Sequence, residues 1–164
     1  AEIPLLVVNN ENCGAHQRAD RFGIHLEVLD HRSYPNREAL DRQLVSLFQS
    51  HQVDVVVMAG WMRIVTDVLV KAFPERLVNI HPSLLPSFRG LDAVGQALKA
   101  GVSISGCTVH IVTTELDAGP ILAQAAVPVF GTDNHDSLAK RVQQQEHVLL
   151  PATLQQNAHR WRQG

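Results

Sequence analysis

Long apolar runs, blocks of like charge and cysteine are all scarce in this chain of 164 residues. No apolar run approaches the roughly 18 residues of a membrane-spanning helix, and no basic segment followed by an apolar one has the form of a signal peptide. The 14 Lys and Arg are balanced by 16 Asp and Glu, for a net charge of -2. Because no basic block is present to neutralise phosphates, we expect neither nucleic acid nor a membrane as a partner.

Cysteine is limited to Cys13 and Cys107. Two cysteines without a metal-type spacing are typical of reduced thiols in a cytosolic protein, so we expect a cytoplasmic location and no disulfide. The histidine, aspartate and glutamate residues also lack the ligand spacing of zinc sites. The sequence therefore predicts no metal.

Linkers, repeats and low-complexity tracts are absent as well, and residues 1–164 are interpreted as one domain,. Short β-branched runs alternate with helical patterns, which predicts an α/β fold with a mostly parallel sheet and helices on both faces. The predicted strands cover residues 4–8, 24–29, 53–58, 77–81, 107–112 and 121–129. The predicted helices cover residues 14–21, 66–73, 93–100 and 134–160, and a further helix begins at Asn36 and includes Phe48.

Capping residues and glycines mark the helix ends. Gly23 is expected to end the first helix and Asn36 to cap the second, whose apolar face carries Leu40, Leu44, Leu47 and Phe48,. Thr66 is expected to begin the short third helix, and Pro151 to disturb the last one. The strand over residues 53–58 is a near-continuous apolar run, which predicts cover on both of its faces.

Asn79 and His81 lie two residues apart at the end of a predicted strand, and Asp117 follows in a turn before Gly119. Residues at this spacing point to the same face of a strand, at the edge where parallel sheets form their sites. An amide can donate to a developing oxyanion, an imidazole can carry a proton, and a carboxylate can orient the imidazole. We therefore expect Asn79, His81 and Asp117 to converge as a catalytic set. The alternative is a strand-end capping pair with an unrelated turn residue.

Four blocks of sequence resemble the folate-dependent formyltransferase family, and they occur in the family's order and at its spacing. The resemblance covers essentially the whole chain, and it is strongest to the members that act in purine synthesis. Methionyl-tRNA formyltransferases typically have glycine, and the hydrolases of the family usually have histidine, where this chain has Pro82. The four blocks cover residues 58–64, 79–86, 115–120 and 141–147.

The resemblance implies a Rossmann-like formyltransferase fold and transfer of a formyl group from 10-formyltetrahydrofolate, as co-substrate, to the amine of glycinamide ribonucleotide. It also implies small-molecule substrates as the only partners of a monomer or homodimer. A formyltetrahydrofolate hydrolase is a close alternative. A non-catalytic folate-binding module is a second alternative.

Binding residues follow from the same resemblance. The residues expected to bind the folate are Arg37, Met62, Arg63, Ile64, Val65, Thr113, Thr114, Glu115, Leu116 and Asp117. The residues expected to bind the amine substrate are Asn79, Gln143, Gln144, Gln145 and Glu146. Arg37 and the run 143–146 could instead be solvated helix residues, and His110 is either a core histidine or a support for Asp117.

The start of the chain departs from the family. The family opens with a strand, a Gly-Ser-Asn phosphate loop and a helix, whereas Ala1 aligns beyond that helix. We therefore expect a formyltransferase domain that is truncated at its N-terminus relative to the family. Because the family's first strand is central in its sheet, we also expect a gap or an exposed edge near Val8 and Met58, and an open phosphate end of the substrate site.

Overall fold

The computed structural model describes residues 2–162 and divides the chain into two compact units. The first unit comprises the residues up to Asp54 together with Val65–Phe73, and the second comprises Val55–Ile64 and the residues from Pro74 onward. The first unit contains β1 (Leu6–Val8), α1 (Ala15–Phe22), β2 (Leu26–Val28), a 3-10 turn (His31–Ser33), α2 (Arg37–Ser50) and α3 (Asp67–Ala72). The second contains β3 (Val56–Met58), β4 (Leu77–His81), α4 (Ala93–Ala100), β5 (Ile104–Ile111), β6 (Ile121–Pro128) and α5 (His135–Trp161).

Local sequence signals explain the helix ends of the first unit. Gly23 has a φ of 63°, the left-handed conformation that glycine adopts without a steric penalty,. The side chain of Asn36 accepts from the Ala39 amide at 2.8 Å, and the Thr66 hydroxyl accepts from the Val68 amide at 3.3 Å. The predicted end of α1 and the predicted N-caps of α2 and α3 are therefore confirmed.

The apolar face of α2 forms the core of the first unit. Leu40 is 2% exposed, and the ring of Phe48 meets Phe73 edge-on at 5.9 Å between centroids. Asp41, which is 3% exposed, accepts from the Thr66 amide at 2.6 Å. This charge-assisted hydrogen bond joins α2 to the start of α3.

Each unit has its own sheet. In the first unit β1 pairs in parallel with β2. In the second unit the strand order is β3-β4-β5-β6; β3 and β4 are parallel, whereas β5 is antiparallel to both of its neighbours. The α/β class with parallel strands is thus confirmed for β1 to β4. β5 and β6 run antiparallel because the turn over residues 112–120 is shorter than the crossover that parallel strands need.

Strand β3 lies at an edge of the four-stranded sheet and is shorter than predicted, Val56–Met58 rather than residues 53–58. Val57 is 40% exposed. The expectation of cover on both faces is therefore wrong for this strand, because the long helix of the unit packs chiefly against β5 and β6. The exposed edge next to Met58 is one that the sequence predicts.

Helix α5 covers one face of the four-stranded sheet. It begins with a capping box of Asn134 and Ser137, and it continues through Pro151, so the expected disturbance there does not end the helix. At its end the Trp161 ring nitrogen donates to the Glu75 carbonyl at 3.1 Å. The buried apolar residues between this face of the sheet and the helices packed on it are Val78, Val94, Cys107, Val109, Ile111, Val127, Leu138, Val142 and Trp161.

Within residues 2–162, no helix combines the length and the hydropathy of a membrane span. The same residues contain no group of three or more His, Cys, Asp or Glu side chains placed to hold a metal ion. Cys13 and Cys107 are free thiols, as expected.

Candidate active site

The face of the four-stranded sheet opposite α5 carries a row of polar side chains. Alternation along β4 directs Val78 and Ile80 toward the helix, and hence Asn79 and His81 to the other face,. The antiparallel register places Asn79 beside His110 of β5. A period of two along adjacent strands thus builds a polar cluster on one side of a packed sheet.

Both ring nitrogens of His81 face oxygen atoms. Nε2 lies 2.9 Å from the Phe88 carbonyl oxygen, and Nδ1 lies 3.5 Å from Oδ2 of Asp117. The side chains of His81 and Asp117 are only 7% and 8% exposed. Because both neighbouring atoms are acceptors, the ring satisfies both contacts as a donor only in its doubly protonated form.

His110 is the second imidazole of the site, and it contacts Asn79. Its Nδ1 lies 2.9 Å from the Ile111 carbonyl oxygen, and its Nε2 lies 3.2 Å from the amide nitrogen of Asn79. Burial lowers the pKa of His110. A neutral ring that donates from Nδ1 accepts from Asn79 at Nε2, which fixes the amide and leaves its second N–H free to donate.

Asp117 lies in the turn between β5 and β6 with a φ of 50°. Its Oδ2 accepts from the Gly90 amide at 2.9 Å, and its Oδ1 lies 3.8 Å from Nε2 of His110. Two residues later a Cβ on Gly119 would lie 1.9 Å from the Ile111 carbonyl oxygen. The turn can therefore approach the strand end closely only because position 119 is glycine.

The loop after β4 is fastened to the sheet by a buried hydroxyl. Thr108 Oγ1 donates to the Ser83 carbonyl at 2.7 Å and accepts from the Leu85 amide at 3.0 Å. The Gln124 amide nitrogen donates to the Leu85 carbonyl at 2.9 Å and to Thr108 Oγ1 at 3.0 Å. These bonds hold the polypeptide that leads from His81 to the Phe88 carbonyl.

The residues expected to bind the folate lie in both units. Arg37 is exposed at the start of α2, and Val65 is buried in the same unit. Met62 and Ile64 of the second unit are 71% and 50% exposed, and Arg63 is half-buried. In the turn before Asp117 the Thr113 hydroxyl donates to the Glu115 carbonyl, and Thr114, Glu115 and Leu116 are exposed. The structure brings this turn to His81.

The residues expected to bind the amine substrate lie on α5, where Gln143, Gln144 and Gln145 are exposed and Glu146 is half-buried. Burial raises the pKa of Glu146, against the opposing influence of His147 and His81. The three glutamines make no hydrogen bond to the cluster among those between described residues.

The geometry adds groups that sequence patterns did not single out. The Phe88 carbonyl and the Gly90 amide contact His81 and Asp117, and the Thr108 hydroxyl fastens the loop between them. Backbone groups carry no sequence signature. Gly90, with a φ of 79°, was the available hint, since it marks a tight bend in this loop,.

Chemically, the cluster presents an amide donor that bonds His110, and an imidazole 3.5 Å from a carboxylate oxygen. An amide N–H and an imidazole N–H can stabilise an oxyanion, and a carboxylate beside the ring can accept or pass on a proton. The arrangement suits attack on a carbonyl carbon through a tetrahedral intermediate. Nothing in the set needs a metal ion to perform that step.

Comparison with known proteins identifies the family. The formyl transferase family model matches residues 1–154. The phosphoribosylglycinamide formyltransferase of Bacillus subtilis is 37% identical over 95% of this chain and 80% of that protein. The trifunctional purine biosynthetic protein adenosine-3 of Gallus gallus is 43% identical, over 94% of this chain but only 16% of that protein.

Structural comparison agrees with the sequence matches. The crystal structure of glycinamide ribonucleotide transformylase 1 from Symbiobacterium toebii superposes with a TM-score of 0.90 at 43% identity, over 92% of this chain and 71% of that one. This chain thus spans most of a single-function relative and about a sixth of the trifunctional one. Since the family model covers nearly all of its length, the chain belongs to the formyl transferase family.

Proposed function

We propose that this protein transfers the formyl group of 10-formyltetrahydrofolate to the amine of glycinamide ribonucleotide, in the cytoplasm and as a monomer or homodimer. The observation that carries the proposal is the polar cluster of Asn79, His81 and Asp117, with 3.5 Å between the His81 ring and the Asp117 carboxylate. Membership of the formyl transferase family supports it. The likeness to a phosphoribosylglycinamide formyltransferase from Bacillus subtilis and to a glycinamide ribonucleotide transformylase from Symbiobacterium toebii supports it as well.

In the proposed reaction the amine nitrogen attacks the formyl carbon, and the carbonyl oxygen becomes an oxyanion. The free N–H of Asn79 donates a neutral hydrogen bond to that oxygen, and Nδ1–H of protonated His81 donates a charged one. The bond from carbon to the folate nitrogen then breaks. The proton lost by the amine is passed to that leaving nitrogen, and Asp117 is the base nearest to the His81 ring that can relay it.

Folate binding is proposed for Arg37, for the segment from Met62 to Val65, and for the turn from Thr113 to Asp117. Met62 and Ile64 are large apolar side chains that are at least half exposed, as expected of residues that cover the face of a heterocycle only when it is bound. The turn supports the proposal because its last residue touches His81. In it, exposed backbone groups are available to bond polar ring atoms.

Binding of the amine substrate is proposed for Asn79 and for the run Gln143 to Glu146. Glu146 supports the proposal because burial raises the pKa of its carboxyl group, which disfavours the ionised form. The amine end of the substrate, placed beside Glu146, would stabilise the ionised carboxylate. The exposed amides of the three glutamines can bond a ribose or an amide of the substrate.

The test is a spectrophotometric assay of the purified protein with 10-formyltetrahydrofolate, with and without glycinamide ribonucleotide. Turnover that requires the amine is the expected result, and His81→Ala should abolish it. Turnover without the amine would instead identify a hydrolase. Folate binding without turnover would leave only a binding module and would refute the proposed transfer.

A further inference from the structure

Three consecutive loop residues, Phe88 to Gly90, contact either the polar cluster or the turn that carries Asp117. The Phe88 carbonyl oxygen lies 2.9 Å from Nε2 of His81, and the Gly90 amide donates to Asp117 at 2.9 Å. Between them the Arg89 guanidinium donates to a Glu115 carboxylate oxygen at 3.1 Å. Both members of the His81–Asp117 pair are thus held by the backbone on either side of Arg89.

We propose that Arg89 is a positioning residue, which acts on His81 and Asp117 through the backbone of its two neighbours. Its ion pair with Glu115 ties the loop after β4 to the turn that carries Asp117. The inference rests on the proposed function, because it concerns the same site. It adds a residue whose side chain contacts neither His81 nor Asp117 in the structure.

The conformation of the loop explains why a side-chain tether is needed. Phe88 and Gly90 have φ angles of 56° and 79°, and a non-glycine residue in the left-handed region is held there only by its surroundings. The Gln96 amide nitrogen donates to the carbonyls of Arg89 and Leu91 at 3.0 and 2.9 Å, which ties the loop to α4. The Arg89 side chain adds an attachment to the turn that carries Asp117.

The exposure of the ion pair sets the size of the effect. The side chains of Arg89 and Glu115 are 41% and 75% exposed, so the pair has the modest strength of a surface salt bridge. Loss of such a pair corresponds to about a two- to fivefold change in the fraction of molecules whose loop after β4 keeps the conformation seen in the structure. Arg89 therefore has a modest effect on the positions of His81 and Asp117, and it is not a catalytic residue.

The experiment compares Arg89→Ala, Arg89→Lys and the control Lys71→Ala, which removes an exposed ion pair of 2.6 Å within α3. Two quantities are measured: the kinetics of formyl transfer, and hydrogen exchange of the Gly90 amide by NMR. We expect Arg89→Ala to lower kcat about two- to fivefold with KM unchanged, and to speed Gly90 exchange by a similar factor. Arg89→Lys should restore most of both, and Lys71→Ala should match the wild type.

Two results would overturn the inference. One is wild-type kcat and wild-type Gly90 exchange in Arg89→Ala. The other is a raised KM at unchanged kcat, which would make Arg89 a substrate contact. If the wild-type protein transfers no formyl group, the proposed function fails, and the Gly90 exchange rates alone then decide whether Arg89 holds the loop.

Discussion

At the scale of single residues, the gap between His81 and Asp117 is the most informative distance. At 3.5 Å it exceeds the length of a direct hydrogen bond, whereas the bond from His81 to the Phe88 carbonyl is 2.9 Å. The ring therefore has a hydrogen bond at Nε2 and only a longer contact at Nδ1. A substrate oxygen can accept a hydrogen bond from Nδ1 while the Asp117 carboxylate stays beside the ring.

The first prediction concerns the charge of Asp117. Asp117→Asn keeps the size of the side chain but removes the negative charge beside His81, so kcat for formyl transfer should fall about 100-fold or more. Folate binding should survive, because the charge acts on the transition state. Steady-state kinetics and calorimetric titration with the folate measure the two effects. Asp67→Asn, an exposed aspartate of α3, is the control, and weaker folate binding at unchanged kcat would contradict the assignment.

The second prediction concerns the two thiols. Cys107 is fully buried, and burial, with a smaller contribution from Glu146, raises its pKa to about 11. Because the thiolate is the reactive form, Cys107 should resist alkylation near pH 8 in the folded protein, whereas half-buried Cys13 should react,. Mass spectrometry after iodoacetamide treatment, with and without denaturant, distinguishes the sites. Equal rates in the native protein would refute the prediction.

At the scale of elements, the success of sequence reasoning depended on how local each signal is. β4 and α4 have the predicted bounds, Leu77–His81 and Ala93–Ala100, because α4 is closed by a glycine and β4 fills a central place in its sheet. The strand predicted over residues 53–58 shrinks to Val56–Met58. Pairing with β4 decides which part of that apolar run is a strand. The sequence of the run alone does not indicate which of its residues pair.

The same distinction applies to the site. A period of two in β4 was enough to place Asn79 and His81 on one face. The position of His110 depends on the register between β4 and β5, which pairs residues 31 apart in sequence. The Phe88 and Gly90 backbone groups depend on a loop conformation that only tertiary packing fixes. Sequence reasoning therefore predicted the polar side chains that meet in the cluster, and it missed the backbone groups that hold them.

The third prediction belongs to the turn between β5 and β6. In Gly119→Ala the new Cβ would lie 1.9 Å from the Ile111 carbonyl oxygen, so the turn must move and carry Asp117 with it. We expect a loss of about 1–3 kcal/mol in the free energy of unfolding, together with reduced kcat. Urea denaturation and kinetics check the two effects. Gly131→Ala is the matched control, since a Cβ there meets no atom within 4 Å; equal behaviour of the two variants would show that the turn is not closely packed.

At the scale of the whole molecule, two groups, buried His110 and half-buried Glu146, give the free energy of unfolding opposite pH dependences. Burial lowers the pKa of His110 from 6.5, so the unfolded chain binds more protons just below pH 6.5, and stability is lost as the pH falls through that window. Burial raises the pKa of Glu146 from 4.5. The folded chain then binds more protons above pH 4.5, and stability is lost as the pH rises toward the raised value.

The last prediction separates these contributions with Glu146→Gln, which cannot ionise. Below pH 4.5 the carboxyl is protonated in both states of the wild type, so variant and wild type should be about equally stable. As the pH rises, the variant should become the more stable, with a difference that grows by at most about 1.4 kcal/mol per pH unit and then levels off. Urea denaturation from pH 4 to 8 measures it.

The matched control for that series is Glu38→Gln on α2, where the side chain is 61% exposed. It should show no comparable pH-dependent gain. A Glu146→Gln variant that is less stable than the wild type at neutral pH, or whose difference does not change with pH, would show that burial of this carboxylate is not costly. If Glu146 binds the amine substrate as proposed, the gain in stability should be accompanied by weaker binding of glycinamide ribonucleotide, because a group kept for function commonly costs stability.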